Sequence, residues 1–181
     1  LTFHTNAVTF WDRDQLYPAL GFDRYYDKAF FGEGDIVQLG ASDEVLYAKT
    51  AEELEKLHKQ GQKFYAHIIS MSNHHPFTLP ESKHPMPLPD EFEDTLLGNY
   101  LQSVHYADEA LGSFIERLKR NGLWEDSVIV IYGDHFGLPL YSLTRAEKQL
   151  MEDILGREYN YTDMLNVPLL IHIPGVTAGQ T

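Results

Sequence analysis

Cysteine is absent from this chain of 181 residues. That excludes a disulfide framework and any thiolate metal site, so a metal would have to be held by oxygen and imidazole donors. Positive charge is scarce. Lys and Arg number 14 against 27 Asp and Glu, for a formal net charge of −13. A nucleic-acid partner is excluded on that ground, because a phosphate backbone demands a Lys/Arg footprint. One small phosphate is not excluded, since a local Arg or a metal can hold it inside an acidic protein. No apolar run approaches the ~18 residues of a spanning helix, and no signal peptide is visible. Internal repeats, low-complexity tracts and a clean interdomain linker are all missing. The chain starts at Leu1 rather than Met and stops just after a strand and a loop. It reads as a piece excised from a longer protein, so the lack of a targeting segment decides nothing about location.

What is present is a composition able to build a core, with 43% apolar and 13% aromatic residues. Strand and helix signals alternate along it, which predicts an α/β fold with a largely parallel sheet flanked by helices. Leu1 to His4, Phe64 to Ser70, Val128 to Tyr132 and Val167 to Ile173 read as strands. The β-branched run ending at Tyr132 has the character of a strand buried on both faces. Asp12 to Tyr17 predicts a helical turn. Ser42 is placed to cap a helix whose first turn carries Asp43 and Glu44, and the Thr50–Glu53 spacing predicts a break and a second cap within it. Leu97, Leu101, Val104, Leu111, Phe114, Ile115 and Leu118 mark the clearest helix, closed by Gly122. Thr144 and Gly156 bracket another. The proline-rich stretch 76–90 predicts a long functional loop.

Three polar clusters fall near predicted element ends: His4-Thr5-Asn6 with Trp11-Asp12-Arg13-Asp14, then Asn73-His74-His75, then Asp134-His135. The last two follow strands directly, and ligands of open α/β sheets sit beyond the carboxyl ends of strands, so one shared site is expected. Asp134 and His135 offer an anionic oxygen and a neutral nitrogen to one divalent ion, which suits Zn²⁺ or Mn²⁺ better than Ca²⁺. Arg13 can grip a phosphate with two parallel hydrogen bonds. Trp11 can pack against the carbon skeleton of a small polyol. His74 can donate to a phosphate or protonate a leaving oxygen. Each has a plainer alternative: a surface ion pair for Arg13, a core position for Trp11, a turn cap for His74 and His75. His67, His105 and His172 read as structural, and His58 and His84 as solvated.

Phe10-Trp11-Asp12-Arg13-Asp14-Gln15-Leu16-Tyr17, Gly40-Ala41-Ser42-Asp43, Ser72-Asn73-His74-His75-Pro76-Phe77, Tyr100 to Leu111, and Ile131 to Gly137 together resemble, in order and spacing, the segments of lipoteichoic acid synthases. The Gly-Asp-His element alone is shared with the wider sulfatase and alkaline-phosphatase superfamily. The resemblance implies that residues 1–181 are the C-terminal portion of a single sulfatase-like catalytic domain, incomplete on its N-terminal side. It implies a membrane-anchored enzyme, tethered through a region absent from this chain, with its catalytic domain outside a Gram-positive cell. Such enzymes move glycerol phosphate from phosphatidylglycerol to lipoteichoic acid or its glycolipid anchor, using Mn²⁺ (alternatively Zn²⁺ or Mg²⁺) and a threonine nucleophile. By motif, Asp134 and His135 become metal ligands. Trp11, Arg13 and His74 become substrate contacts, with His74 also catalytic, and His4 and Asn6 match further polar positions of that pocket. The nucleophile and a glutamate ligand of the family lie upstream of the matching region, and Pro139 stands where some relatives carry Ser. A sulfatase or phosphodiesterase-type hydrolase, and an inert extracellular binding or sensing module, remain as alternative readings.

Overall fold

Thr2–His4 forms strand β1, and all three of its residues are buried. Burial is complete because β1 is the middle strand of a three-stranded parallel sheet, between β2 (Tyr25–Tyr26) and β5 (His67–Ile69). The computed structural model describes residues 1–176. Two further pairs are antiparallel: β3 (Ile36–Val37) with β4 (Gly40–Ala41), and β6 (Ile129–Tyr132) with β7 (Leu169–His172). Among the described residues, six α-helices accompany these strands: α1 (Arg13–Ala19), α2 (Lys28–Phe31), α3 (Asp43–Lys59), α4 (Leu96–Arg120), α5 (Arg145–Leu155) and α6 (Tyr161–Leu165).

The helix ends follow local chemistry. Ser42 Oγ accepts from the Val45 amide at 3.3 Å and starts α3. Thr95 Oγ1 does the same for Gly98 at the start of α4, at 2.9 Å. Thr144 and Glu147 form a reciprocal capping box on α5, which stops at Gly156 in the left-handed region, φ 68°; only glycine takes that conformation without steric cost. The break predicted at Thr50 is absent. Leu46, Thr50, Leu54 and Leu57 form one buried face of a continuous α3, and packing of that face overrides the local capping signal.

The strand prediction needs a second correction. β6 is not buried on both faces and does not belong to the β1–β5 sheet. Among the described residues it pairs with β7 alone, and Val128, Val130 and Tyr132 are exposed. An apolar β-branched run signals a strand but carries no information on which partner it takes.

Two apolar cores form. Phe3, Leu46, Ala51, Leu54, Phe114 and Leu118 join β1 to α3 and α4. Phe77, Leu97, Leu138, Leu143 and Met151 join the proline-rich loop, α4, the segment after β6, and α5. The proline-rich loop is irregular as expected, and polar side chains hold it. Lys83 pairs with Asp35 at 3.0 Å and with Glu44, and Gln102 exchanges two hydrogen bonds with the Met86 backbone.

Glu147 joins α5 to α4. Its buried carboxylate accepts from the amides of Leu96 (2.7 Å), Leu97 (3.3 Å) and Thr144 (2.8 Å). Burial alone would raise its pKa, but these donors and the Thr144 hydroxyl outweigh it and hold the carboxyl below its ordinary value of 4.5. A depressed carboxylate stabilises above the unfolded value and loses that stability as pH falls through the folded one. Melting of the intact protein is therefore expected to weaken below pH 4.5, with Glu147→Gln flattening that part of the profile. Glu147→Ala is expected to cost about 3 kcal/mol at neutral pH.

Candidate active site

β1 and β5 run parallel, so the loops after His4 and Ile69 leave from the same edge of the sheet. The first of these loops carries Asn6 and then turns into α1. Arg13 opens α1 and Tyr17 follows four residues later, so both side chains lie on one face of the helix, and both are buried. The Tyr17 ring lies 5.6 Å from that of His4.

A short polar relay results. His4 Nδ1 donates to Asn6 Oδ1 at 2.8 Å, and Arg13 Nη1 donates to the same oxygen at 3.1 Å. Because that oxygen accepts both bonds, Nδ1 carries the proton of the neutral imidazole. His4 is fully buried, and its Nε2 has no hydrogen-bond partner. Burial is the main cause that lowers its pKa, and the nearby Arg13 charge adds to it. His4 is thus one step removed from Arg13, acting through Asn6.

Arg13 is 8% exposed. Its neighbours are the Asn6 amide oxygen and the Trp11 ring, whose centroid is 5.1 Å from the guanidinium carbon. Among the described residues it forms no ion pair with a carboxylate, which removes the reading of a surface ion pair. A nearly buried guanidinium held only by neutral groups is a charge lacking its counter-ion. Trp11 is not in the core either. It is 70% exposed, and both it and Asp12 adopt left-handed backbone, φ 60° and 51°. Bulky residues seldom do so, and the cost is about 1–3 kcal/mol each. The sequence gives no sign of this pair of positive φ angles.

The second loop carries His74, which is half-buried. Its Nδ1 donates to the His75 carbonyl at 2.8 Å. A carbonyl can only accept, so Nε2 is the nitrogen left for other chemistry. The third loop carries Asp134 and His135, both well exposed. His135 Nδ1 is engaged by the Phe136 carbonyl at 2.6 Å, and its Nε2 lies 3.8 Å from Asp134 Oδ1. Two ligand bonds of ~2.1 Å on one ion span that separation. The pair therefore fits part of a metal site. It does not complete one: no group of three or more candidate donor residues occurs among the described residues.

Scaffold contacts, rather than contacts among the candidate side chains, join the second and third loops. Tyr100 on α4 stacks edge-on against Phe77 at 5.0 Å. A Cβ added to Gly137 would lie 2.8 Å from its hydroxyl. The His74 loop and the Asp134–His135 loop are thereby held to one helix. The expectation that these two loops open from one parallel sheet fails, because β6 pairs antiparallel with β7 and not with the β1–β5 sheet among the described residues. Three further histidines are engaged elsewhere. His172 stacks on Trp124 at 3.9 Å, His105 approaches Glu109 at 3.5 Å, and His58 faces Asp126 at 3.7 Å.

The sulfatase family model matches residues 1–181, and the chain belongs to that family. Within it, the chain is similar to lipoteichoic acid synthases. It is 43% identical to the crystal structure of the lipoteichoic acid synthase LtaP from Listeria monocytogenes, with a TM-score of 0.87 over 98% of this chain and 43% of that one. It is 36% identical to lipoteichoic acid synthase 2 of Bacillus subtilis, over 97% of this chain and 26% of that protein. Identity to the lipoteichoic acid synthase of Staphylococcus saprophyticus is 37%, over 95% of this chain and again 26% of the relative. An alkaline phosphatase superfamily protein from Vibrio parahaemolyticus shares the fold, with a TM-score of 0.71 at 24% identity. The chain thus has an alkaline-phosphatase/sulfatase-like fold and spans about a quarter of the length of these curated relatives.

Proposed function

We propose that this chain is the C-terminal portion of the catalytic domain of a phosphoglycerol transferase, which moves glycerol phosphate from phosphatidylglycerol to lipoteichoic acid or its glycolipid anchor. The observation that carries the reading is the Arg13 guanidinium, nearly buried and without a carboxylate partner. A phosphodiester is the anion such a group accommodates, and the fork leaves donors beyond the one engaged by Asn6. Trp11, exposed beside it, offers an apolar face to the glycerol carbons. The similarity to lipoteichoic acid synthases over nearly the whole chain supports the choice of a glycerol-phosphate substrate.

Chemically, a threonine oxygen supplied outside residues 1–181, its proton lost to solvent, bonds to phosphorus as the phosphorus–oxygen bond to diacylglycerol breaks; an acceptor hydroxyl then bonds to phosphorus as the threonine oxygen leaves, and the acceptor's proton passes to His74. Arg13 holds the phosphoryl oxygens and stabilises the charge that develops on them. His74, protonated at Nε2, gives its proton to the leaving diacylglycerol oxygen. Asn6 fixes the guanidinium, and His4 fixes Asn6. Asp134 and His135 are proposed as two ligands of a Mn²⁺ ion (Zn²⁺ and Mg²⁺ being the alternatives), whose other ligands lie outside this chain. No helix among the described residues is long and apolar enough to cross a membrane. Anchoring to the cell membrane, with the catalytic domain outside a Gram-positive cell, is proposed to come from another part of the protein.

The test is an assay of the intact protein against fluorescent phosphatidylglycerol, an aryl sulfate and an aryl phosphate in parallel. Release of labelled diacylglycerol is expected. Hydrolysis of the sulfate ester with no action on the lipid would place the protein among the hydrolases of its family, and inactivity on all three with retained ligand binding would favour a sensing module.

A further inference from the structure

One short segment touches both loops that carry the candidate substrate contacts. The β3–β4 hairpin and the first residue of α3 lie between the His4–Arg13 loop and the His74 loop. On one side, Gly40 packs against Thr5, the residue between His4 and Asn6. A Cβ at position 40 would sit 2.3 Å from Thr5 Oγ1 and 2.7 Å from its carbonyl carbon, so no larger residue fits without moving that loop. On the other side, Asp43 Oδ1 accepts from the amides of Met71 (3.1 Å) and Ser72 (3.2 Å), and the Asp43 amide donates to Ser72 Oγ at 3.1 Å. Gln38, in the tight turn of the hairpin with φ 54°, donates from Nε2 to the carbonyls of Ser72 (3.4 Å) and Thr78 (3.3 Å), the two ends of the His74 loop. Ser103 on α4 secures the residue in between, donating to Asn73 Oδ1 at 2.7 Å.

Asp43 is an expensive residue for a plain helix start. It is fully buried, and its Oδ2 has no partner. Burial pushes its carboxyl above the ordinary range, against the pull of the Met71 and Ser72 amides. A surface Asp in the first turn of α3 would serve the helix as well without that cost. The groups it does satisfy are two buried amides immediately before Asn73 and His74.

We infer that the Gly40–Asp43 turn is the positioning element of the site, with Asp43 as the positioning residue that sets His74 at its working distance from Arg13. The inference rests on the proposed transferase reading for its catalytic consequence, but the mechanical claim stands on the contacts alone. Small displacements of an acid relative to a bound phosphate carry large rate penalties, about 100-fold for 1 Å. Since the clamp works through acceptance of hydrogen bonds, an amide oxygen can replace the carboxylate oxygen, so Asp43→Asn should rescue what Asp43→Ala loses.

The experiment compares wild type, Asp43→Ala, Asp43→Asn and Gln38→Ala of the intact protein, by hydrogen exchange over residues 71–78 and by steady-state kinetics on phosphatidylglycerol. Asp43→Ala is expected to speed exchange in 71–78 and to lower kcat by about 10-fold or more, with a smaller change in KM. Asp43→Asn restores both measures. Gln38→Ala, at a half-buried position of the hairpin turn, gives a weaker version of the same pattern and decides the question if Asp43→Ala does not fold. Unchanged exchange in Asp43→Ala and Gln38→Ala overturns the clamp. Faster exchange with an unchanged kcat per folded molecule reduces Asp43 to a structural residue and overturns its positioning role. Inactivity of the wild type on phosphatidylglycerol overturns the transferase reading instead, and is separately visible because the exchange arm still decides whether the clamp exists.

Discussion

Arg13→Ala in the intact protein is expected to lower turnover on phosphatidylglycerol by about 100- to 1,000-fold and to leave the melting temperature unchanged or higher. The two halves of this result have one cause. The guanidinium is nearly buried, and its protein partners are a neutral amide oxygen and an indole ring. A residue kept for stability would be expected to have a carboxylate beside it, and removing such a partner would destabilise the fold. On the proposed reading, the folded state bears part of the desolvation of this cation until an anion binds. Removing the side chain relieves that cost and removes the anion's partner. Arg13→Lys is expected to recover little, because a point charge on a flexible stem cannot reproduce two parallel hydrogen bonds or the stacking on Trp11. Kinetics and calorimetry on the same preparations check both halves. A large fall in melting temperature with unaltered kcat/KM per folded molecule would return Arg13 to a structural role.

Asp134→Ala and His135→Ala are each expected to weaken Mn²⁺ binding to the intact protein by about 100-fold or more while leaving the fold unperturbed. Both side chains are well exposed, and the contacts they make reach no farther than each other at 3.8 Å and the carbonyl and ring of the adjacent Phe136. Neither therefore contributes packing whose loss would be mistaken for loss of metal. Metal content after dialysis and a direct Mn²⁺ titration are the readouts, independent of any activity. The double variant should resemble the singles, since a site that has lost one of its ligands gains little from the other. Unaltered affinity in both singles would remove the pair from the metal site.

Much of this was legible in the sequence wherever the controlling physics is local. Ser42, Thr144 and Gly156 cap and stop helices where their chemistry predicts. The helical spacing from Leu97 to Leu118 becomes α4, but its buried face runs through Leu97, Gln102, Ser103, Tyr106, Ala110, Phe114 and Leu118, and Val104 is exposed. What was not legible depends on partners distant in sequence. The run ending at Tyr132 forms a strand, but its ladder partner β7 lies some forty residues on, and the neighbours of an apolar run are not encoded in the run. The cap signal at Thr50 yields to the burial of α3 against the core. The site followed the same division. Residue types marked Arg13, Trp11, His74, Asp134 and His135 as chemically able, but the pattern Asp-Arg-Asp is compatible with both a surface ion pair and an anion site. Only burial separates them, and the group that meets the nearly buried guanidinium, Asn6, lies outside the Asp-Arg-Asp run. Asp43 illustrates the converse. Its position in the first turn of α3 gives it a sufficient local reason to be acidic, which concealed its contacts with Met71 and Ser72.

The central claim is that Trp11 and Arg13 form a corner for glycerol phosphate, with the charge held by one and the carbon skeleton by the other. Calorimetric titration of glycerol phosphate, inorganic phosphate and glycerol into the intact protein and its Arg13→Ala variant tests it most directly. The account predicts saturable binding of glycerol phosphate to the wild type, tighter than that of inorganic phosphate or glycerol, and its loss in Arg13→Ala. Equal binding of glycerol phosphate to wild type and variant would contradict it.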